Sequence, residues 1–189
     1  MALLQQTMAR CLSVKSALTM YMHKKGHTTL SHEPSGLTLS KTYSFLGASS
    51  DGIVMDPPEP PSDGLLEIKC PFSIDGDVCC WSPFEMARKS SFCLAHLDDG
   101  ALQLKRTRAY YSQVQRELVI MEKKWADFVI WTQGSGDHLH VERIYADAAF
   151  WLNTCMLTLY SYTTAMVPEL LLRHIQRGLP QLESEADNQ

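Results

Sequence analysis

A chain of 189 residues is long enough for one domain with a real hydrophobic core. With 45% hydrophobic and 20% charged residues it reads as globular, which excludes a disordered chain. Its formal net charge of −4 speaks against a protein that coats nucleic acid through bulk charge, although Glu183, Glu185 and Asp187 crowd the last stretch. The apolar runs are interrupted too early to span a bilayer, and MALLQQTMARCLS lacks the apolar centre of a secretory signal. An intracellular location, cytoplasmic or nuclear, with no membrane partner is therefore expected. The six cysteines (Cys11, Cys70, Cys79, Cys80, Cys93 and Cys155) form no C-x-x-C pair, so reduced thiols are expected rather than a zinc ribbon.

In chain order, Gln5 to Lys25 reads as a helix stopped at Gly26. GLTLS (36–40) alternates and predicts a short strand. YSFLGASSDGIVM (43–55) predicts a second strand kinked at its glycines. DPPEPPSD (56–63) is a proline-rich loop, because proline cannot donate to a ladder. GLLEIK (64–69) predicts a third strand, antiparallel to the second across that loop. PFEMARKSSFCLAH (83–96) reads as one helix. Thr107 to Lys124 reads as a longer one with an apolar seam of Tyr111, Val114, Leu118 and Met121. Two strands, 126–132 and 138–145, follow around the turn 134–136. A final aromatic helix from Asp147 to about Met166, broken near Pro168, is expected to bury Phe150, Trp151, Tyr160 and Tyr162 in the core. This order makes an α/β or α+β chain. A single domain over 1–178 with an acidic, disordered tail over 179–189 is expected.

The chemistry centres on Glu67 and Lys69. Two apart on a strand, they share one face, while Ile68 points to the core. Asp51 faces them across the predicted hairpin. Two carboxylates and an ammonium suit a hard divalent cation, since magnesium takes oxygen ligands and keeps several waters. Such an ion lowers the pKa of bound water, and a lysine can orient that water or offset developing charge. The same triplet also suits an exposed strand face with a surface ion pair, and spacing alone leaves both readings open. On the helix that follows, Tyr110 and Gln113 are three apart and share a face. Gln115 diverges from Gln113 by about 200°, so it is expected to contact backbone or a neighbouring strand. Lys105, Arg106 and Arg108 sit at the helix start, where cations oppose the macrodipole. DNA phosphate is one reason for that placement, and a solvated helix start is the other. His23 with His27, and His138 with His140, lack a third ligand and are set aside as metal sites.

LGASSDGIV, LLEIKCP, YYSQVQ, KWADFVIWT and VERI, in that order, resemble the YqaJ-type viral recombinase family. That family belongs with lambda exonuclease among the PD-(D/E)XK nucleases. The resemblance spans roughly Gly36 to Leu171. It implies a restriction-endonuclease-like core, a mixed central sheet flanked by helices, and magnesium-dependent hydrolysis of DNA, with manganese as a substitute. It implies that Asp51, Glu67 and the carbonyl of Ile68 hold the metal, that Lys69 is the catalytic lysine, and that Tyr110 and Gln113 belong to the active site. A ring-shaped trimer is implied by lambda exonuclease alone.

Two departures qualify the resemblance. Val14 stands where family members carry a first-helix glutamate, and Ser50 replaces the proline before the aspartate. The chain also starts too late for the family's 5′-phosphate-binding arginine, so a shortened form is expected. A double-strand exonuclease of recombination or repair is the leading expectation. A weakened or inactive nuclease fold that binds DNA or protein, and a site-specific endonuclease, are the alternatives.

Overall fold

The computed structural model describes residues 2–26, 29–71, 81–132 and 138–178, with side chains from Val14 onward. These residues fall into two compact units, Met1–Ala146 and Asp147–Gln189. The span 1–178 read as one domain from sequence thus covers the first unit and most of the second. The tail 179–189 lies outside the described residues.

The first unit begins with α1 (Ala2–Lys25), which ends where Gly26 adopts a left-handed φ of 63°. The strands are β1 (Ser31–Glu33), β2 (Thr38–Leu39), β3 (Gly47–Ala48), β4 (Gly52–Met55) and β5 (Asp63–Lys69). Then come the short α2 (Pro83–Met86), β6 (Leu94–His96), β7 (Leu102–Leu104) and α3 (Ala109–Ile120). β8 (Trp125–Trp131) and β9 (Leu139–Tyr145) close the unit. One five-stranded sheet runs β1-β4-β5-β8-β9. Its pairings are antiparallel except β5 with β8, which is parallel and sets Glu67 beside Phe128 and Lys69 beside Ile130. A parallel pair needs a crossover, and α3 lies in that crossover.

The sheet is covered on both faces. Ala17 and Tyr21 of α1, with Val14, Leu18 and Met22 partly buried, follow a helical stripe. They pack on Leu66, Ile68, Trp125 and Val129. The alternate residues Leu65, Glu67 and Phe128 face the other way, toward α3, where Gln113 reaches Glu67 and Tyr110 lies 6.1 Å from the Phe128 ring. β5 and β8 are buried along almost their whole length, as central strands covered on both faces must be.

Four local expectations change. The strand read over 43–55 is two strands, because Ser49 to Asp51 leave the ladder between β3 and β4. The helix read over 83–96 is one turn, α2, capped by a reciprocal Ser82–Glu85 box; its remainder becomes β6, which pairs with β7. Gly100 makes the turn between them at a φ of 83°. β1 is an additional edge strand, polar and three residues long. In the second unit, α4 (Ala148–Ser161) starts at an Asp147 cap and runs through a π-helical stretch, Tyr162–Met166, into α5 (Val167–Leu172). Of the aromatic residues expected in the core, Phe150, Trp151 and Tyr162 are half-buried and none is fully buried. Tyr160, Leu152, Met156 and Leu157 are exposed, and Cys155 is the buried residue of α4. No helix among the described residues is long and apolar enough to cross a membrane. The turn expected at 134–136 lies outside the described residues.

Gly64 shows how tightly β5 is packed. A Cβ there would lie 2.3 Å from the Trp125 ring. That ring cannot yield, since its Nε1 donates to the Pro61 carbonyl at 2.8 Å and the Arg143 guanidinium covers it at 3.8 Å. Gly64→Ala is expected to cost about 1–3 kcal/mol of stability. A lowered urea midpoint at unchanged slope would register it.

Candidate active site

The turn before β4 and the end of β5 bring the sequence-predicted acids together. Asp51 Oδ2 accepts from the Ile68 amide at 2.7 Å, which ties the two strands at this point. Glu67 Oε1 is paired with the Lys69 ammonium, as their shared strand face requires. Gln113 Nε2 donates to the same Glu67 oxygen at 2.7 Å. The Lys69 ammonium also lies 5.0 Å from the centre of the Tyr110 ring, a cation–π contact. Asp51, Lys69, Tyr110, Ile68, Cys70 and Val14 line a cleft of about 280 Å³.

Glu67 itself is only 3% exposed, and its Oε2 has no hydrogen-bond partner among the described residues. Burial pushes its carboxyl above the ordinary range, with Lys69 pulling the other way and Asp51 adding to the rise. An orphaned carboxylate oxygen is costly in a dry interior and is a seat for a cation. The donors are all hard oxygens, which fits magnesium. Among the described residues no three His, Cys, Asp or Glu side chains gather as a metal-holding set. Asp51 and Glu67 are a carboxylate pair, which would suit an ion that keeps waters and shares substrate phosphate.

Sequence reasoning missed Glu117. It is 3% exposed, and its Oε1 accepts from Gln113 Nε2 at 2.8 Å while its Oε2 has no partner among the described residues. Burial, then repulsion from Glu67, pushes its carboxyl up to about 8. The signal was present: Tyr110, Gln113 and Glu117 follow one stripe of α3. A carboxyl raised in the folded state favours folding below its unfolded value near 4.5, and that contribution is lost as pH rises toward 8. In chelator-treated protein, stability is therefore expected to fall between about pH 5 and 8. Glu117→Gln should flatten that slope, as urea midpoints at each pH would reveal.

The other expected residues divide. Gln115 Nε2 donates to the Tyr145 carbonyl of β9 at 2.9 Å, the strand contact its position predicted. Lys105 donates to the carbonyls of Ser90 and Phe92 at 3.0 and 2.8 Å, Arg108 to that of Ser90 at 2.6 Å, and the Arg106 guanidinium lies 5.0 Å from the Tyr111 ring. Backbone carbonyls thus supply a reason for cations at this helix start that needs no DNA. Val14 lies in the cleft wall, so an isopropyl group stands beside Asp51 and Lys69.

The model of the YqaJ-like viral recombinase domain matches residues 15–124. The chain belongs to this family. The match runs from α1 to the end of α3 and contains Asp51, Glu67, Lys69, Tyr110 and Gln113; β8 and β9 of this YqaJ-like chain lie beyond it. Two solved structures share the fold. An alkaline exonuclease, LHK-Exo, from Laribacter hongkongensis is 22% identical at a TM-score of 0.59, over 90% of this chain and 73% of that one. LHK-Exo in complex with dAMP is 22% identical at a TM-score of 0.57, over 87% and 68%. Among curated proteins none matches. The restriction-endonuclease-like reading of a mixed central sheet flanked by helices holds.

Proposed function

We propose that this chain is a magnesium-dependent deoxyribonuclease that acts as an exonuclease on double-stranded DNA ends during recombination or repair. The observation that carries this reading is Glu67, buried with one orphaned oxygen beside Asp51 and Lys69. Family membership and the fold shared with an alkaline exonuclease support the choice of DNA as substrate.

Asp51 and Glu67, with the Ile68 carbonyl, would hold magnesium, and manganese would substitute. When bound, the ion supplies charge neutralisation at the phosphate and a more acidic water. Lys69 holds its ammonium at the strand end, where it can orient the attacking water and offset charge on the phosphoryl oxygens. Tyr110 covers that ammonium with its ring and limits its swing. Gln113 steadies Glu67 through its amide. Lys105, Arg106 and Arg108 would meet the DNA backbone, in addition to their contacts within the chain.

The test is a magnesium titration on linear and on covalently closed circular duplex, with Asp51→Ala as control. Release of nucleotides from linear DNA alone is expected. Cleavage of the closed circle would make the chain an endonuclease, and equal activity in Asp51→Ala would remove the site from the reaction.

Val14 in the cleft favours a second reading, a nuclease fold whose hydrolysis has weakened while DNA binding persists. Val14→Glu would then raise kcat about tenfold, the worth of about 1.4 kcal/mol in the transition state. Single-turnover cleavage with and without the substitution measures it.

A further inference from the structure

We propose that Glu117 is a positioning residue of this site, which locks the Gln113 amide so that it holds Glu67 and keeps its carbonyl oxygen free as an acceptor. The reading of the site as hydrolytic supplies the kinetic consequence; the amide's orientation stands without it.

The case begins with the ambiguity of a primary amide. The NH2 and carbonyl ends of glutamine have nearly the same shape, so rotation by half a turn exchanges donor for acceptor at almost no steric cost. A single acceptor oxygen beside the amide biases that choice, and two bias it further. Gln113 Nε2 donates to Glu67 Oε1 at 2.7 Å and to Glu117 Oε1 at 2.8 Å. Both N–H bonds are thereby used, and the carbonyl oxygen is the one hydrogen-bonding atom left to the amide. A flip would give up both N–H bonds and set that oxygen against the two carboxyl oxygens that now accept them. Glu117 lies four residues beyond Gln113 on α3, so helix geometry holds the pair in register.

Glu117 is an expensive residue for a structural purpose. It is 3% exposed, and its Oε2 has no partner among the described residues. An apolar side chain of the same length would fill the space without burying a carboxylate. What such a side chain could not do is accept from Gln113. Groups placed behind a ligand in this way orient it, and their loss typically lowers metal affinity or activity by about 10–100-fold.

The experiment uses the full chain and compares Glu117→Met, Glu117→Gln and Gln113→Leu. Glu117→Met keeps length and helix propensity but removes the acceptor; Glu117→Gln keeps a carbonyl acceptor. The Gln113 side-chain amide signals, identified by their disappearance in Gln113→Leu, are followed by NMR without metal or DNA. They are expected to shift in Glu117→Met and to stay near their wild-type positions in Glu117→Gln. Manganese affinity by calorimetry and kcat on linear duplex are expected to fall about 10–100-fold in Glu117→Met, with KM little changed, and to be largely kept in Glu117→Gln. The thermal midpoint of Glu117→Met is expected to be equal or higher, whereas a merely structural role would lower it. Unmoved amide signals in Glu117→Met overturn the proposal, as does loss of the fold in both Glu117 variants. A wild-type chain that neither binds manganese nor cuts DNA refutes the hydrolytic reading, while the amide signals still decide the role of Glu117.

Discussion

Glu67→Gln is expected to lower kcat for DNA hydrolysis about a thousandfold while leaving the chain folded and more stable. The two effects have one cause. Glu67 is buried with an unpartnered oxygen, and burial holds its carboxyl above the ordinary range. Such a group favours folding while protonated, below its unfolded pKa, and becomes a net cost as pH rises through its folded value. The amide carries no charge and escapes that cost, so stability rises on the alkaline side. Under the proposed reading the same amide is a poorer ligand for a hard cation, so the metal-dependent step would suffer. Its carbonyl can still accept from Lys69, which keeps the local geometry. Paired urea titrations and single-turnover cleavage would read both signs. A variant that is both stable and fully active would remove Glu67 from the metal.

Asp127→Ala is expected to do the reverse, destabilising the chain by about 3–5 kcal/mol without touching the acids of the cleft. Asp127 is fully buried on the α1 face of β8. Arg143 grips both of its oxygens at 2.8 and 2.9 Å, Tyr21 donates at 2.7 Å, and Lys25 pairs at 2.9 Å. Burial pushes the Asp127 carboxyl up, but the bonds from Arg143, Tyr21 and Lys25 outweigh it and hold it below its usual value. The network continues from Arg143 to Asp56 and Glu59. Removing the central anion leaves two cations and a phenol without their acceptor. Stability from a depressed carboxyl is present above its unfolded value near 4 and is lost as pH falls through the folded one, so wild type should also weaken on the acid side. A fall in thermal midpoint of about 10 °C or more would match this size of loss. An unchanged midpoint would mean that the network is neutral.

How much of this was legible in the sequence depends on period and length. α1, β5, α3, β8 and β9 carry long, regular patterns and were found within a few residues of their ends. β1, β6 and β7 are three residues each, too short for alternation to register. Asp98-Asp99-Gly100 was the signal that a hairpin, not a helix, crosses 94–104. In the site, the shared face of Glu67 and Lys69 was legible because period-2 geometry needs no tertiary knowledge, while their grouping with Asp51 as a metal site rested on the family resemblance. Gln115 was placed by the angle alone. Glu117 was not, since a glutamate beside an apolar seam reads as a solvated residue until β5 is set against α3. Asp127 was hidden for the same reason: its partners come from two distant elements, Tyr21 and Lys25 from α1 and Arg143 from β9.

The single parallel pairing in the sheet decides when the site can exist. Asp51 and Glu67 sit on a hairpin, β4 with β5, which closes by local contacts. Gln113, bonded to Glu117, reaches Glu67 from the crossover that is fixed once Leu65 lies beside Ala126. That second closure is long, and long closures are slow. The two acids of the hairpin therefore meet early in folding, before the helix that steadies them has docked. Under the proposed function, hydrolysis would be a late reporter of the native state: on refolding, activity should trail the recovery of secondary structure, and a chain still emerging from its ribosome would carry the acids without the means to cut.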